Sequence, residues 1–254
     1  MKNLINWKMF FILLTICIIC SILVIPYSLA LNPVKIDISP LLIVLSTVVN
    51  NLIIYAAAIF LGLLFSKKIG MGLPILEGVL KKENKTKEFK ALLIPSICIG
   101  ILAGVLMLIA SIPFNKLIPE LASESVAPAV WKGFLASFYG GIAEEVLLRL
   151  FVVSLLVWIT FKIKKNDNGS PTNFGIWLSI ILAAILFGIG HLPATAAIVP
   201  LTGIVVFRAI LLNGIGGLIL GWLYWKKGLE SAIITHFTID IVLHVIFPFI
   251  LSFI

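Results

Sequence analysis

Ala143-Glu144-Glu145-Val146-Leu147-Leu148-Arg149 sets two adjacent carboxylates and an arginine inside an apolar run from about Trp131 to Phe161. Nothing in a lipid-facing helix would stabilise three charges there. Ionisable groups in a membrane span are costly, face the interior of a helix bundle, and mark function by default. The spacing narrows the reading. Glu145 and Arg149 stand at i and i+4, so they share a helical face and can pair. Glu144 lies about 100° further round the helix and is left for chemistry.

The surrounding chain fits a membrane. Its 254 residues are 61% hydrophobic and only 12% charged, with a mean hydropathy of +1.19. Soluble domains carry about twice that charge. Seven apolar runs approach or exceed the roughly 20 residues needed to cross a bilayer. They fall at about 9–31, 40–65, 91–113, 131–160, 174–192, 199–224 and 229–253. The expected fold is all-α, a polytopic transmembrane helix bundle of about seven spans with room for an eighth. Residues 1–125 would form N-terminal helices with a basic loop, and 126–254 a catalytic core. The first run follows Lys2 and Lys8 and ends near Ser28-Leu29-Ala30, which has the look of a signal-peptidase site. At 9–25 it is long for a signal sequence, so an uncleaved span is expected.

The net charge of +8 would raise the question of nucleic acid in a soluble protein, but no recognition module or aromatic–basic interleaving is present. The lysines follow the positive-inside rule instead. With the N-terminus in the cytoplasm, fourteen of the 19 Lys and Arg residues fall in cytoplasmic segments, and only Lys35, Lys116 and Lys132 fall outside. The remaining two, Arg149 and Arg208, lie within spans. Arg208 is deep enough to want a carboxylate, and none can be assigned to it. The expected location is a multi-pass protein of a bacterial plasma membrane, suited by an Ile/Lys/Asn-rich composition. Membrane lipids are its first partners, and nothing in the sequence sets an oligomeric state. The longest cytoplasmic link, 69–89, has Leu73, Ile75, Leu76, Val79 and Leu80 spaced partly like an apolar helical face. It reads as an interfacial helix or as a solvated basic loop. The outer loop 115–128 holds Glu120 and Glu124 without evident chemistry. Cys17, Cys20 and Cys98 lie in apolar helices, and the CxxC spacing of the first two reads as packing. Gly217 and Gly221 form a GxxxG, which permits close helix contact.

Few other groups in the spans can do chemistry. The three histidines are His191, His236 and His244, each in or at the edge of a span. Phe187/His191, His236/Asp240 and Asp240/His244 are each i, i+4 pairs. A glutamate with two histidines suits amide hydrolysis. The carboxylate takes a proton from water and passes it to the leaving amine, while a histidine holds the water or the developing oxyanion. The same residue types can hold a divalent metal.

Glu-Glu-x-x-x-Arg, then Phe-x-x-x-His, then His-x-x-x-Asp, in this order on successive spans, resembles the CPBP (Abi, CAAX protease and bacteriocin-processing) family of intramembrane proteases. The resemblance covers about 130–245. It implies an intramembrane endopeptidase acting on CAAX-type, lipidated or other membrane-associated peptides and proteins, bacteriocin precursors among them. It makes Glu144 the general base, His191 a holder of the nucleophilic water, and His236 with Asp240 the oxyanion pair. Glu145 and Arg149 complete the first motif, and their spacing makes them a structural ion pair. The resemblance leaves open a metal-independent glutamate mechanism, which we favour, and a zinc mechanism with Glu144, His191 and His236 as ligands. An ionised aspartate cannot donate to an oxyanion, so Asp240 is expected to orient and charge His236. Two other classes compete: a non-catalytic immunity or scaffold protein on the same fold, and a proton-coupled transporter. Straight spans would put Glu144, His191 and His236 at different depths, a misfit that one site has to resolve.

Overall fold

A computed structural model describes residues 5–31, 38–118 and 128–253. Among them are seven helices long and apolar enough to cross a membrane and no strand. In chain order the helices are α1 (Trp7–Leu31), α2 (Pro40–Ile69), the short α3 (Pro74–Leu80), α4 (Thr86–Leu117), α5 (Val130–Ile163), α6 (Asn173–Ala196), α7 (Gly203–Lys227) and α8 (Leu229–Leu251). The expected count of seven spans holds. Lys2, Lys35, Glu120, Glu124 and the expected boundary at 125 lie outside the described residues.

The helix ends follow local chemistry. Ser39, Thr172 and Thr202 each accept a backbone N–H of the first turn, from Leu42, Gly175 and Val205, satisfying donors that a helix N-terminus leaves open. Gly70 ends α2 in the left-handed conformation at φ 72°, which costs glycine nothing. Lys67 and Lys68 lie inside the last turn of α2, so the helix continues past the point where its apolar run stops. Ser28-Leu29-Ala30 is helical, within the second part of α1. The 69–89 link holds a true helix, α3. Its start is fixed by Glu230 of α8, whose Oε1 accepts the Ile75 and Leu76 N–H groups, both at 2.9 Å.

Lipid tails give no hydrophobic drive between helices, so close contact at small residues does the work. Gly217 and Gly221 of α7 lie against Ala184 and Ile180 of α6, and Gly188 of α6 against Ile210. Gly62 of α2 meets the backbone of Leu150 in α5, and Gly100 of α4 meets Thr235 and Thr238 of α8. Buried hydroxyls join helices across the bundle: Ser96 to Ser231 at 2.8 Å and Ser154 to Tyr224 at 2.7 Å. Cys17 and Cys20 are buried free thiols in α1. Large apolar side chains such as Ile53, Ile94, Leu102 and Phe174 face outward, as lipid contact requires.

Two spans depart from α geometry. Within α5, residues Tyr139–Glu144 and Val146–Val153 adopt wider π turns, and so does Val242–Ile246 in α8. Single π turns inside α-helices recur at functional sites. Here they bracket the charged cluster.

Candidate active site

Helix α5 meets α8 through glycines. A Cβ on Gly140 would run into Asp240 Oδ2 and come within 3.4 Å of His236 Nε2. Gly141 abuts the Phe237 backbone, and Gly133 the carbonyl of His244. With no side chains between them, the two helices bring Glu144 and Glu145 against His236.

The two adjacent glutamates then diverge. Glu145 is fully buried, and its Oε1 takes both partners: Arg149 Nη1 at 2.8 Å and His236 Nδ1 at 2.7 Å. The spacing expectation for Glu145 and Arg149 is met as an ion pair. Arg149 is held further by the Gly217 carbonyl at 3.4 Å and by the Phe187 ring, 4.8 Å below its guanidinium. Glu144 keeps a side-chain exposure of 22%, and its Oε2 lies 3.9 Å from His236 Nε2.

The orienting carboxylate is not the one expected. With Glu145 ionised beside Arg149, the 2.7 Å contact requires His236 to donate its Nδ1 proton to Glu145. That leaves Nε2 facing Glu144 and, at 3.7 Å, Asp240 Oδ1. Glu145, not Asp240, fixes the ring. Asp240 lies on the open side of His236, too far for a hydrogen bond. The reason is rotational: the glycine contact turns α8 so that Nδ1 points at α5.

His191 caps the end of the main part of α6. Its Nδ1 is 2.8 Å from the Phe187 carbonyl and its ring stands edge-on to Phe187 at 4.7 Å. The same Phe187 ring stands edge-on to His236 at 5.7 Å. The two histidines therefore meet at one phenylalanine ring, which brings the end of α6 to the cluster. At 34 residues, α5 would run about 50 Å as an α-helix, well beyond a hydrocarbon core of about 30 Å, so counting from helix ends misjudges depth. His191 joins the cluster through Phe187, without a hydrogen bond or ion pair to Glu144 or His236. The set Glu144, His191 and His236 is thus not gathered as metal ligands, and no three His, Cys, Asp or Glu side chains among the described residues are. As placed, these donors do not fit an ion.

Several contributors escaped the sequence. Tyr55 of α2, fully buried, lies beside Tyr139, and both hydroxyls are in electrostatic reach of Glu144. Nothing marks Tyr55 in its apolar run, whereas Tyr139-Gly140-Gly141 immediately before the acidic pair is a readable signal. His244 turns away, with Nδ1 3.1 Å from the Tyr27 hydroxyl. No ion pair to Arg208 occurs among the described residues.

Residues 126–242 match the family described as type II CAAX prenyl endopeptidase Rce1-like. The resemblance to the CAAX-type intramembrane protease family thus extends over this part of the chain. No curated protein and no solved structure matches the chain. The segment matched to the CAAX protease family carries Glu144, Glu145, Arg149, His191, His236 and Asp240. Tyr55 and Tyr27 lie outside it, yet reach the cluster or its flank. The matched segment is thus completed by α1 and α2, which pack on it from the N-terminal part.

Proposed function

We propose that the chain is an intramembrane endopeptidase in which Glu144 is the general base. The observation that carries this is the asymmetry of the glutamate pair. Glu145 is enclosed and held by Arg149 and His236, whereas Glu144 is partly open and 3.9 Å from a free ring nitrogen. A single water can bridge a gap of that size. Glu144 takes a proton from this water as its oxygen adds to the scissile carbonyl. It returns the proton to the amine as the C–N bond breaks. His236, protonated and charged by Glu145, donates from Nε2 to the oxyanion. Asp240, when protonated, adds a second donor on the same side. His191, steadied by the Phe187 carbonyl, is the second holder of the water in this reading.

The substrate we propose is the C-terminal region of a lipidated CAAX-type peptide, or another membrane-associated peptide, in line with the family of residues 126–242. The lysine-rich end of the bundle faces the cytoplasm in this reading. Lys67, Lys226 and Lys227 gather around one cavity there, and Lys68 and Lys162 flank Trp158. The positive-inside rule supports that orientation.

The test is Glu144→Gln in detergent-solubilised protein, read with a quenched farnesylated CAAX peptide. Cleavage is expected to fall by about 10²–10⁴-fold, the usual range for a general base, with the thermal midpoint little changed. Retained cleavage would remove Glu144 from the role. The same loss in Glu145→Gln at an unchanged midpoint would transfer it to Glu145.

A further inference from the structure

A second polar pair flanks the glutamate cluster, one turn beyond Asp240 on α8. Its first member comes from a break in α1. Pro26 has no N–H for the Ile22 carbonyl, and the helix is interrupted at Val24, between Trp7–Leu23 and Ile25–Leu31. The second segment packs on the start of α5 and carries Tyr27 to α8. The Tyr27 hydroxyl lies 3.1 Å from His244 Nδ1, and the two rings stand edge-on at 5.4 Å. Gly133 of α5 is so close that a Cβ would run into the His244 carbonyl. Three helices therefore meet at one histidine, where α8 passes into its π turn, Val242–Ile246.

The chemistry of the contact places the ring proton. A phenol hydroxyl is the more acidic of the two possible donors, and a bare imidazole nitrogen is the more basic acceptor. Tyr27 therefore donates to Nδ1, which leaves the proton of the neutral ring on Nε2. Asp240, four residues back, lies on the same face of α8. The Tyr27 hydroxyl is in electrostatic reach of Asp240, and the His244 ring is in reach of His191 and His236. Asp240 packs its Oδ2 on Gly140 and leaves its Oδ1 3.7 Å from His236 Nε2. Neither contact decides which oxygen carries a proton. A carboxylic acid has one donor and one acceptor oxygen, so an N–H placed on one of them turns the acidic proton to the other.

We propose that His244, set by Tyr27, is a positioning residue for Asp240. Its Nε2–H holds one carboxyl oxygen, directly or through one water, and so aims the other at the oxyanion. This rests on the endopeptidase reading above, in which Asp240 is the second donor. It also makes α1 part of the working site, although Tyr27 lies outside the segment matched to the family.

The ring proton is read first, without any activity. In the full chain in detergent, isotope-labelled histidine gives three sets of ring resonances, one for each histidine, and His244→Gln identifies its own set. His244 should carry its proton on Nε2. Tyr27→Phe should shift its Nδ1 resonance, and Asp240→Ala its Nε2–H. A proton on Nδ1, or an Nε2–H indifferent to Asp240→Ala, would overturn the proposal. Cleavage of the farnesylated peptide is the second readout. His244→Phe should lower kcat by about 10-fold, the order for a displaced reacting group, with KM and the thermal midpoint little changed. His244→Gln, whose amide nitrogen stands near the place of the ring Nε2, should recover part of the loss. On an Asp240→Ala background His244→Phe should cost nothing more, because residues that act through one another do not add. A purely structural His244 would show the same loss on both backgrounds, and that result sinks the positioning role. A wild-type chain that leaves the peptide intact would count against the endopeptidase reading, and the histidine resonances would then decide the pair by themselves.

Discussion

Glu145 and Glu230 are both acids withdrawn from water, and both use a single oxygen to hold two partners. For Glu145 in the middle of α5 these are side chains, the Arg149 guanidinium in an ion pair at 2.8 Å and the His236 Nδ1–H donor at 2.7 Å. For Glu230 in the first turn of α8 they are the backbone N–H groups of Ile75 and Leu76, both at 2.9 Å. In each case the second oxygen is buried with no hydrogen-bond partner among the described residues. The kind of donor matters more than the number. Removing Glu145 leaves a guanidinium and an imidazole without their anion at the centre of the bundle. Removing Glu230 leaves two N–H groups at the start of a short helix near the surface, where water can replace the carboxylate. The first contact builds a site, and the second fastens a loop.

The largest effect should come from breaking the first contact alone. Glu145→Ala is expected to cost about 3–5 kcal/mol, the usual result of stranding one partner of a buried pair. In a chain of this size that is about 10 °C or more in thermal midpoint. The double variant E145A/R149M should recover a good part of the loss, because the stranded cation is gone. Thermal unfolding in detergent measures both. If Glu145→Ala costs no more than Glu230→Ala, or if the double variant is worse than the single one, the contrast fails.

A middle-sized effect should follow from Gly140→Ala, which acts on geometry without touching a charge. The new methyl would meet Asp240 Oδ2 and approach His236 Nε2. Asp240 can swing aside, so stability should drop by only about 1–2 kcal/mol, at the low end for overpacking. Peptide cleavage should fall further, by about 10-fold or more, since a shift of about 1 Å at a reacting group has costs of that order. The quenched peptide assay and the thermal midpoint, read on one preparation, separate the two quantities. An unchanged cleavage rate would mean that the position of Asp240 is immaterial.

These two variants also mark what could be read from the sequence. The i, i+4 relation of Glu145 and Arg149 is local, and it appears as an ion pair. The spans are readable because apolar runs near bilayer length end at lysines, though helices such as α2 and α5 continue beyond those ends. The partner of His236 was not readable. It depends on how α5 and α8 are turned against each other, which is fixed by contacts at Gly133, Gly140 and Gly141 and by π turns in both helices. A π turn adds residues to a helical turn and rotates everything after it, so a 3.6-residue period cannot predict which carboxylate faces which nitrogen. The contact of His191 and His236 with one Phe187 ring was not readable for a related reason, because it joins residues of separate helices. Tyr55 left no trace, since one hydroxyl in an apolar run has no period.

The smallest effect tests the other side of the comparison. In Glu230→Gln the amide oxygen can still accept from Ile75 and Leu76, so only the charge at the α3 N-terminus is lost, a difference of about 0.3–1 kcal/mol. Glu230→Ala removes the acceptor as well and should cost about 1–2 kcal/mol, the range for deleting a helix N-cap. The local readout is more telling than the global one. Amide hydrogen exchange at residues 74–80 should accelerate in Glu230→Ala, while exchange around residues 143–149 should stay as it was, because Glu145 holds its own partners. Faster exchange at both places would show that the start of α8 and the glutamate cluster open together. The fastening of α3 would then belong to the site, and the distinction between the two acids would be one of degree.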